Sequence, residues 1–566
     1  MSVARLSRFS EAQTIARVFL TGIISLLVGC THAGQRNRNP LVTQLQVVER
    51  NQASVRSGAT SSERRKEAEM ELDRAIARAV SMLRERITPM GSSALTNGGL
   101  RLGPYLLHMP AHLRADAVED IGFCQYDHLY PADPAQESGF MREFARIGKG
   151  AAMVGELGLA SNWAPRRDQF YGQRLYLPVT ALLEFQDAPL QSPRPVQLRL
   201  IDPMLETNPN ISPSDESISA NYTAAARLGL EREAFIKLRW LGLLWPGIHM
   251  DNSGLYLLQP YDPDKIPVVM IHGLYSSPAT WLEMASAIMA DAELSRRFQL
   301  WYFVYPTGLP IPDSACRLRT ALKQAIERLD ATHSRPTTSE MVLVGHSMGG
   351  LLARLQAINS GDCFWTNHFS KPADELLVSE KTRLELKSSF FFDRQSFVSR
   401  LIFIATPHAG SDLADLWLSR LFVRLIHLPA TTIQSVTELL TLNADALRPD
   451  LLRYQRLGCT SVESLSPGNP LYRALAECPV PVPCHSIIAN REGSKHALVS
   501  DGVVPYSSAH LAQAESEKVV AAGHPCTDSP AVVEEVKRIL RLHIREFDRR
   551  HPRIAGTAGQ LIESPQ

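Results

Sequence analysis

From Gly254 onward the chain alternates two hydrophobic rhythms. Short apolar runs rich in β-formers, at Pro267–Gly273, Gln299–Tyr305, Met341–His346, Arg400–Thr406, His485–Ala489 and Lys518–Ala522, predict strands. Gly254–Leu258 reads as one more. Apolar residues recurring every three or four positions predict helices at Trp281–Met289, Ala315–Leu329, Ala531–Phe547 and directly after Ser347. Strands alternating with helices specify an α/β class, with a mostly parallel sheet covered by helices on both faces. This pattern fills about 250–550 and leaves 551–566 as a loose polar tail.

The first half of the chain is patterned differently. Leu72, Ile76, Val80, Leu83 and Ile87 predict a helix over Ser62–Ile87, which Pro89 ends. Arg174–Phe185 and Val196–Ile201 read as strands, and Asn221–Leu244 as a helix. Together 61–245 form an α+β accessory region, whose aromatics Trp163, Phe170 and Tyr171 serve either a core or a substrate contact. Residues 30–60, polar and without periodicity, read as a tether. Ahead of them, Arg5, Arg8 and Arg17 precede an apolar run, Val18–Val28, that is too short to span a bilayer and suits a secretory signal over 1–29. A short membrane-anchoring helix is the other reading of that run.

Composition narrows the classes. In 566 residues the formal net charge is +1, so bulk electrostatics offers nothing to a nucleic acid. Eight cysteines occur without a CxxC pair or a Cys/His cluster at zinc spacing, and no metal site is expected. Cys478 and Cys484, either side of a Pro-rich turn, are the pair expected to bond if the compartment is oxidising.

Candidate chemistry centres on Gly345-His346-Ser347-Met348-Gly349. A strand, a tight turn and a helix are the context in which a nucleophilic serine is lifted out of a sheet. Gly345 and Gly349 leave room for the turn, and the helix points free N–H groups at Ser347. A serine nucleophile needs a base and the base an orienting acid. Functional groups gather at carboxyl ends of strands. Asp501 comes after the 485–489 strand and His524 after the 518–522 strand, giving the order Ser347, Asp501, His524. His408 is the competing base and Asp412 and Asp415 the reserve acids; the ring of His346, inside the elbow, is expected to point away from Ser347 Oγ. The backbone N–H groups of Met348 and Leu274 are the expected oxyanion donors. This chemistry calls for no metal and no organic cofactor.

The segments VVMIHGL, YFVYPTG, LVGHSMGG, FIATPHAGS, SDGVVP and the final GH together resemble the lipases and esterases of the α/β-hydrolase superfamily, and among them the bacterial relatives of the GPI inositol-deacylase group. The resemblance implies an α/β-hydrolase fold over 250–550, the triad, and cleavage of a carboxylic ester. Long intervals at Gly361–Ser399, with Phe364, Trp365 and Phe390–Phe392, and at Asp412–Pro483, with helices at Ala414–Leu428 and Thr432–Leu442, are where this fold builds lids. An aromatic cap favours an acyl or lipid substrate; packing of the insertion itself is the plainer alternative. Leu27-Val28-Gly29-Cys30 resembles the bacterial lipoprotein signal, which implies a lipid on Cys30, an extracytoplasmic site and, from Thr31, the outer membrane. Amide or thioester cleavage, acyl transfer, and a non-catalytic surface scaffold remain the other readings. The oligomeric state is not legible.

Overall fold

The computed structural model describes residues 39–56, 62–87, 99–109, 126–132, 142–158, 174–187, 189, 193–204, 217–232, 242–247, 250, 253–332, 334–411, 426–452, 460–491 and 500–552. The leader and Cys30, Trp163, Phe170, Tyr171, Asp412, Asp415, most of the Ala414–Leu428 helix and the tail from 553 lie outside the described residues.

Two helices come first, α1 (Pro40–Arg56) and α2 (Ser62–Ile87). α2 is as the periodicity predicts. α1 corrects the expected tether over 30–60. It buries Leu41, Leu45 and Val48, whose spacing of four and three marks one helix face. The surrounding Gln, Asn and Arg hide that face in the composition. Both helices share a core with a mixed sheet. Its strands are β1 (Leu100–Leu102), β2 (Tyr105–His108), β3 (His128–Pro131), β5 (Ala151–Gly158), β6 (Arg174–Phe185) and β7 (Arg194–Ile201), while β4 (Ala145–Arg146) and β8 (Ala220–Asn221) pair separately. Of the predicted Asn221–Leu244 helix, Tyr222–Arg232 is described as α3 and 242–244 are also helical, while 233–241 lie outside the described residues. Tyr222 and Leu230 of α3 enter a cluster with Met284 and Ile288, so this region packs directly on the second half of the chain.

The second half supplies β9 (Gly254–Leu257), β10 (Ile266–Ile271), α4 (Leu282–Met289), α5 (Ala292–Arg297), β11 (Phe298–Val304), α6 (Ile311–Leu329), β12 (Met341–His346), α7 (Met348–Arg354) and β13 (Val398–Ile404). β14 (Cys484–Asn490), β15 (Ser516–Ala521) and a long final helix (Pro530–Arg550) complete it. Among the described residues these strands form a seven-stranded sheet in the order β15-β14-β13-β12-β10-β11-β9. Only β9 runs antiparallel to its neighbour. Every residue of β10, β11, β12 and β14 is buried, which requires helices on both faces. Leu318 and Leu322 of α6 with Leu351 and Leu352 of α7 cover one face. Met284 and Ile288 of α4, with Val536 and Leu540 of the final helix, cover the other. The expected doubly covered α/β-hydrolase fold is therefore present, with β12 at its centre.

One interior charge has no sequence signal. Arg400 on β13 is fully buried and is neutralised by Glu546 of the final helix, with His485 and His543 beside it. Burial, and then the adjacent guanidinium, push both imidazoles down to about 3, so they stay uncharged.

Candidate active site

β12 delivers the chain into a turn too tight for side chains. A Cβ on Gly345 would lie 2.5 Å from Gly349 O, and one on Gly349 would lie 2.1 Å from Ile271 O. Ser347 takes φ 54°, a left-handed conformation disfavoured for a residue with a Cβ. Its N–H donates to Ile404 O of the neighbouring strand at 2.8 Å, which fixes the turn against β13. Among the described residues the other non-glycine positive-φ positions are Tyr275 and Ala405. They lie just beyond β10 and β13, the two neighbours of β12. Backbone strain is thus concentrated at the carboxyl edge around Ser347.

Three loops converge on that edge. Ser347 Oγ lies 2.9 Å from His524 Nε2, and His524 Nδ1 lies 2.7 Å from Asp501 Oδ2. A carboxylate can only accept, so Nδ1 carries the hydrogen and Nε2 is left as the acceptor facing the serine. Asp501 is 1 % exposed, and its Oδ1 accepts the N–H groups of Val503 and Val504 at 2.8 and 2.7 Å. The carboxylate is therefore held at both oxygens. The N–H of His524 donates to Asp501 O at 3.1 Å, tying the two loops together. Gly502 makes the acid loop possible with φ +94°. The structure brings Ser347, Asp501 and His524 together as their chain order predicts.

The competing histidines are placed elsewhere. His346 donates from Nε2 to His524 O at 2.9 Å, so it steadies the loop that carries His524. Burial lowers it to about 3. His408 is buried against Phe403, and neither ring nitrogen has a hydrogen-bond partner among the described residues. Burial holds it neutral, and it makes no bond to Ser347 or Asp501.

The turn carrying Leu274 lies against Ser347, since a Cβ on Gly273 would fall 2.9 Å from Ser347 Cβ. Met348 opens α7, where the first N–H groups have no intrahelical acceptor. Sequence reasoning missed the groups that shape this turn. Thr307 Oγ1 accepts Tyr275 N–H at 3.3 Å, and Tyr305 OH donates to His272 O at 2.7 Å. Both sit in the YPTG segment just beyond β11, which was the available clue.

The insertions add α8 (Cys363–His368), α9 (Glu380–Phe390), α10 (Ala430–Leu442), α11 (Ser461–Ser464) and α12 (Pro470–Glu477). Most of the cap aromatics hold the insertion together: Trp365 stacks on Phe369 and Phe391, and Phe364 meets Phe392. Beneath them is a cavity of about 260 Å³ lined by Phe369, Phe390, Val436, Leu439, Leu440 and Glu463, among others. No triad side chain lines it. Pro310, three residues after Thr307, is among its lining residues.

Glu463 has one oxygen on Thr460 N–H at 2.9 Å and the other unpartnered among the described residues. Burial raises its carboxyl to about 8, against the weaker opposing pull of that N–H. A raised carboxyl contributes stability that is complete below its ordinary 4.5 and is lost as pH rises through 8. Glu463→Gln keeps an acceptor for Thr460 and removes the titration. Its Tm relative to the parent is therefore expected to climb between about pH 5 and pH 9 in a scanning-fluorimetry series. A constant difference would mean that Glu463 is already ionised in the folded protein.

Cys478 does not face Cys484, the partner that the Pro-rich turn suggests. Its sulfur lies 2.6 Å from that of Cys363, while Cys484 Sγ faces Gln513 O at 3.7 Å. Proximity in sequence points to the wrong partner because α12 packs on α8.

Residues 268–536 match the model of the alpha/beta hydrolase family. That stretch covers the sheet from β10 to the final helix and contains Ser347, Asp501 and His524, so it is similar in sequence to that family and has the α/β-hydrolase fold. A search of curated proteins finds no match. Among solved structures, a Bacillus licheniformis lipase in its mature form aligns at 18 % identity and TM-score 0.29, over 50 % of this chain and 97 % of its own. A metagenomic carboxyl esterase aligns at 16 % and 0.27, over 50 % and 76 %. EstA from Clostridium botulinum aligns at 13 % and 0.30, over 56 % and 97 %. Scores of this size add no argument about substrate.

Proposed function

We propose that this protein is a serine hydrolase that cleaves carboxylic esters. The observation that carries the reading is the continuous line from Ser347 Oγ through His524 to a doubly anchored Asp501. In this reading His524 Nε2 takes the Ser347 proton as Oγ attacks the ester carbonyl. The N–H groups of Leu274 and Met348 receive the developing oxyanion, each donor being worth about 3 kcal/mol of barrier. The intermediate collapses as His524 protonates the departing alcohol. Water, deprotonated by the same nitrogen, then releases the acid and restores Ser347.

An acyl or lipid substrate is supported by the cap. Its cavity of about 260 Å³ has Phe369, Phe390, Val436, Leu439 and Leu440 among its lining, which gives the cap an apolar wall. Leu377, Leu384, Phe391, Ile433 and Leu442 also leave apolar surface exposed on the cap. The likeness to the GPI inositol-deacylase group, the lipid on Cys30 and an extracytoplasmic, outer-membrane site rest on sequence resemblance alone. Among the described residues no helix is long and apolar enough to cross a membrane.

The test is hydrolysis of p-nitrophenyl esters from acetate to palmitate by the purified protein, alongside matched anilides and a fluorophosphonate label. Labelling with turnover of esters and not of anilides is the expected result, with a maximum at medium chain length. No label and no turnover of any member would overturn the reading and favour a scaffold role.

A further inference from the structure

We propose that Cys363 and Cys478 form a disulfide that staples α8 to α12 across the cap. The two are thiols in the structure, yet their sulfurs stand 2.6 Å apart. That is nearer the ~2.05 Å of a covalent bond than the ~3.5–4.0 Å at which unbonded heavy atoms rest. The approach is not a stray contact of flexible ends. Cys363 opens α8 and Cys478 directly follows α12, and the two helices lie against each other. Asn367, one turn beyond Cys363, reaches the carboxylate of Glu477 at 3.3 and 3.4 Å. Cys478 is buried, and burial, then the contact with Cys478, raises the Cys363 thiol to about 12.

Forming the bond removes two protons and two electrons from the thiols. The electrons pass to a disulfide oxidant, a thiol oxidoreductase in a cell or oxidised glutathione in a tube, which is reduced to two thiols. The closed loop spans 115 residues, including β13, α9, α10 and the cavity between them. Constraining a loop this long lowers the entropy of the unfolded chain substantially. His368 and Phe369, at the far end of α8, line the cavity, so the bond fixes that wall against α12.

The full chain is prepared twice, once through an oxidising compartment and once reduced and then treated with oxidised glutathione. Each sample is alkylated in denaturant without reductant, digested and mapped by mass. A cross-linked peptide pair containing Cys363 and Cys478, lost on reduction, is the expected result. Dithiothreitol is expected to lower the Tm by roughly 5–10 °C in the parent, and to leave the Cys363→Ser/Cys478→Ser variant unmoved. Alkylation of both cysteines in both samples would overturn the proposal, as would a cross-link from either to another cysteine. Should the double variant fail to fold, the peptide map of the parent decides alone.

Discussion

Ser347→Ala is expected to lower kcat for ester hydrolysis by a factor on the order of 10⁶ and to abolish fluorophosphonate labelling. Ala removes the only atom that can bond the acyl group, and His524 then has no proton to take. Binding should survive, because the oxyanion turn and the cap are untouched, so KM changes little. Stability should survive as well. Ser347 already holds φ 54°, which Ala bears at similar strain, and the lost bond to His524 is worth about 1 kcal/mol. A Tm within a few degrees of the parent separates loss of chemistry from loss of fold. Equal rates in the two proteins would remove the serine mechanism.

Asp501→Asn should lower kcat by about 10⁴. The amide is nearly isosteric, and its oxygen can keep the Val503 and Val504 N–H groups that Asp501 Oδ1 accepts. Its NH₂ then points at His524 Nδ1, where an acceptor stood at 2.7 Å. Two donors cannot face each other, so the imidazole takes the other tautomer, with hydrogen on Nε2. That nitrogen can no longer accept the Ser347 proton. The measurement is kcat with KM, plus Tm as the control for folding. A loss below tenfold would mean that another carboxylate orients His524, and Asp412→Asn and Asp415→Asn would be the next variants to assay.

Local sequence determined a good part of this. Strands β10 to β14 were legible because a strand buried on both faces must be largely apolar, whereas β15, with Val520 as its buried residue, was legible from its run of β-formers. The final helix was legible because its buried positions recur at helical spacing. The elbow was legible because its turn excludes side chains at Gly345 and Gly349. Asp501 and His524 could be picked out because parallel strands bring all their carboxyl ends to one edge. Loops at the ends of successive strands are therefore near in space however far apart in sequence.

Tertiary structure alone decided the rest. α1 reads as a tether in sequence because the face of Leu41, Leu45 and Val48 is buried only when a partner surface covers it, and α2 with its sheet supplies that cover. The partner of Cys478 is Cys363 rather than Cys484, because helix packing and not chain distance brings sulfurs together. Arg400 can be interior because carboxylates far along the chain reach it, Glu546 after 146 residues and Glu515 at 3.6 Å. Likewise the sequence could nominate Ser347, Asp501 and His524, but the 2.9 and 2.7 Å that join them depend on how the sheet is closed. Periodicity records which side of each element is buried; it carries no record of what that side is buried against, because the partner comes from elsewhere in the chain.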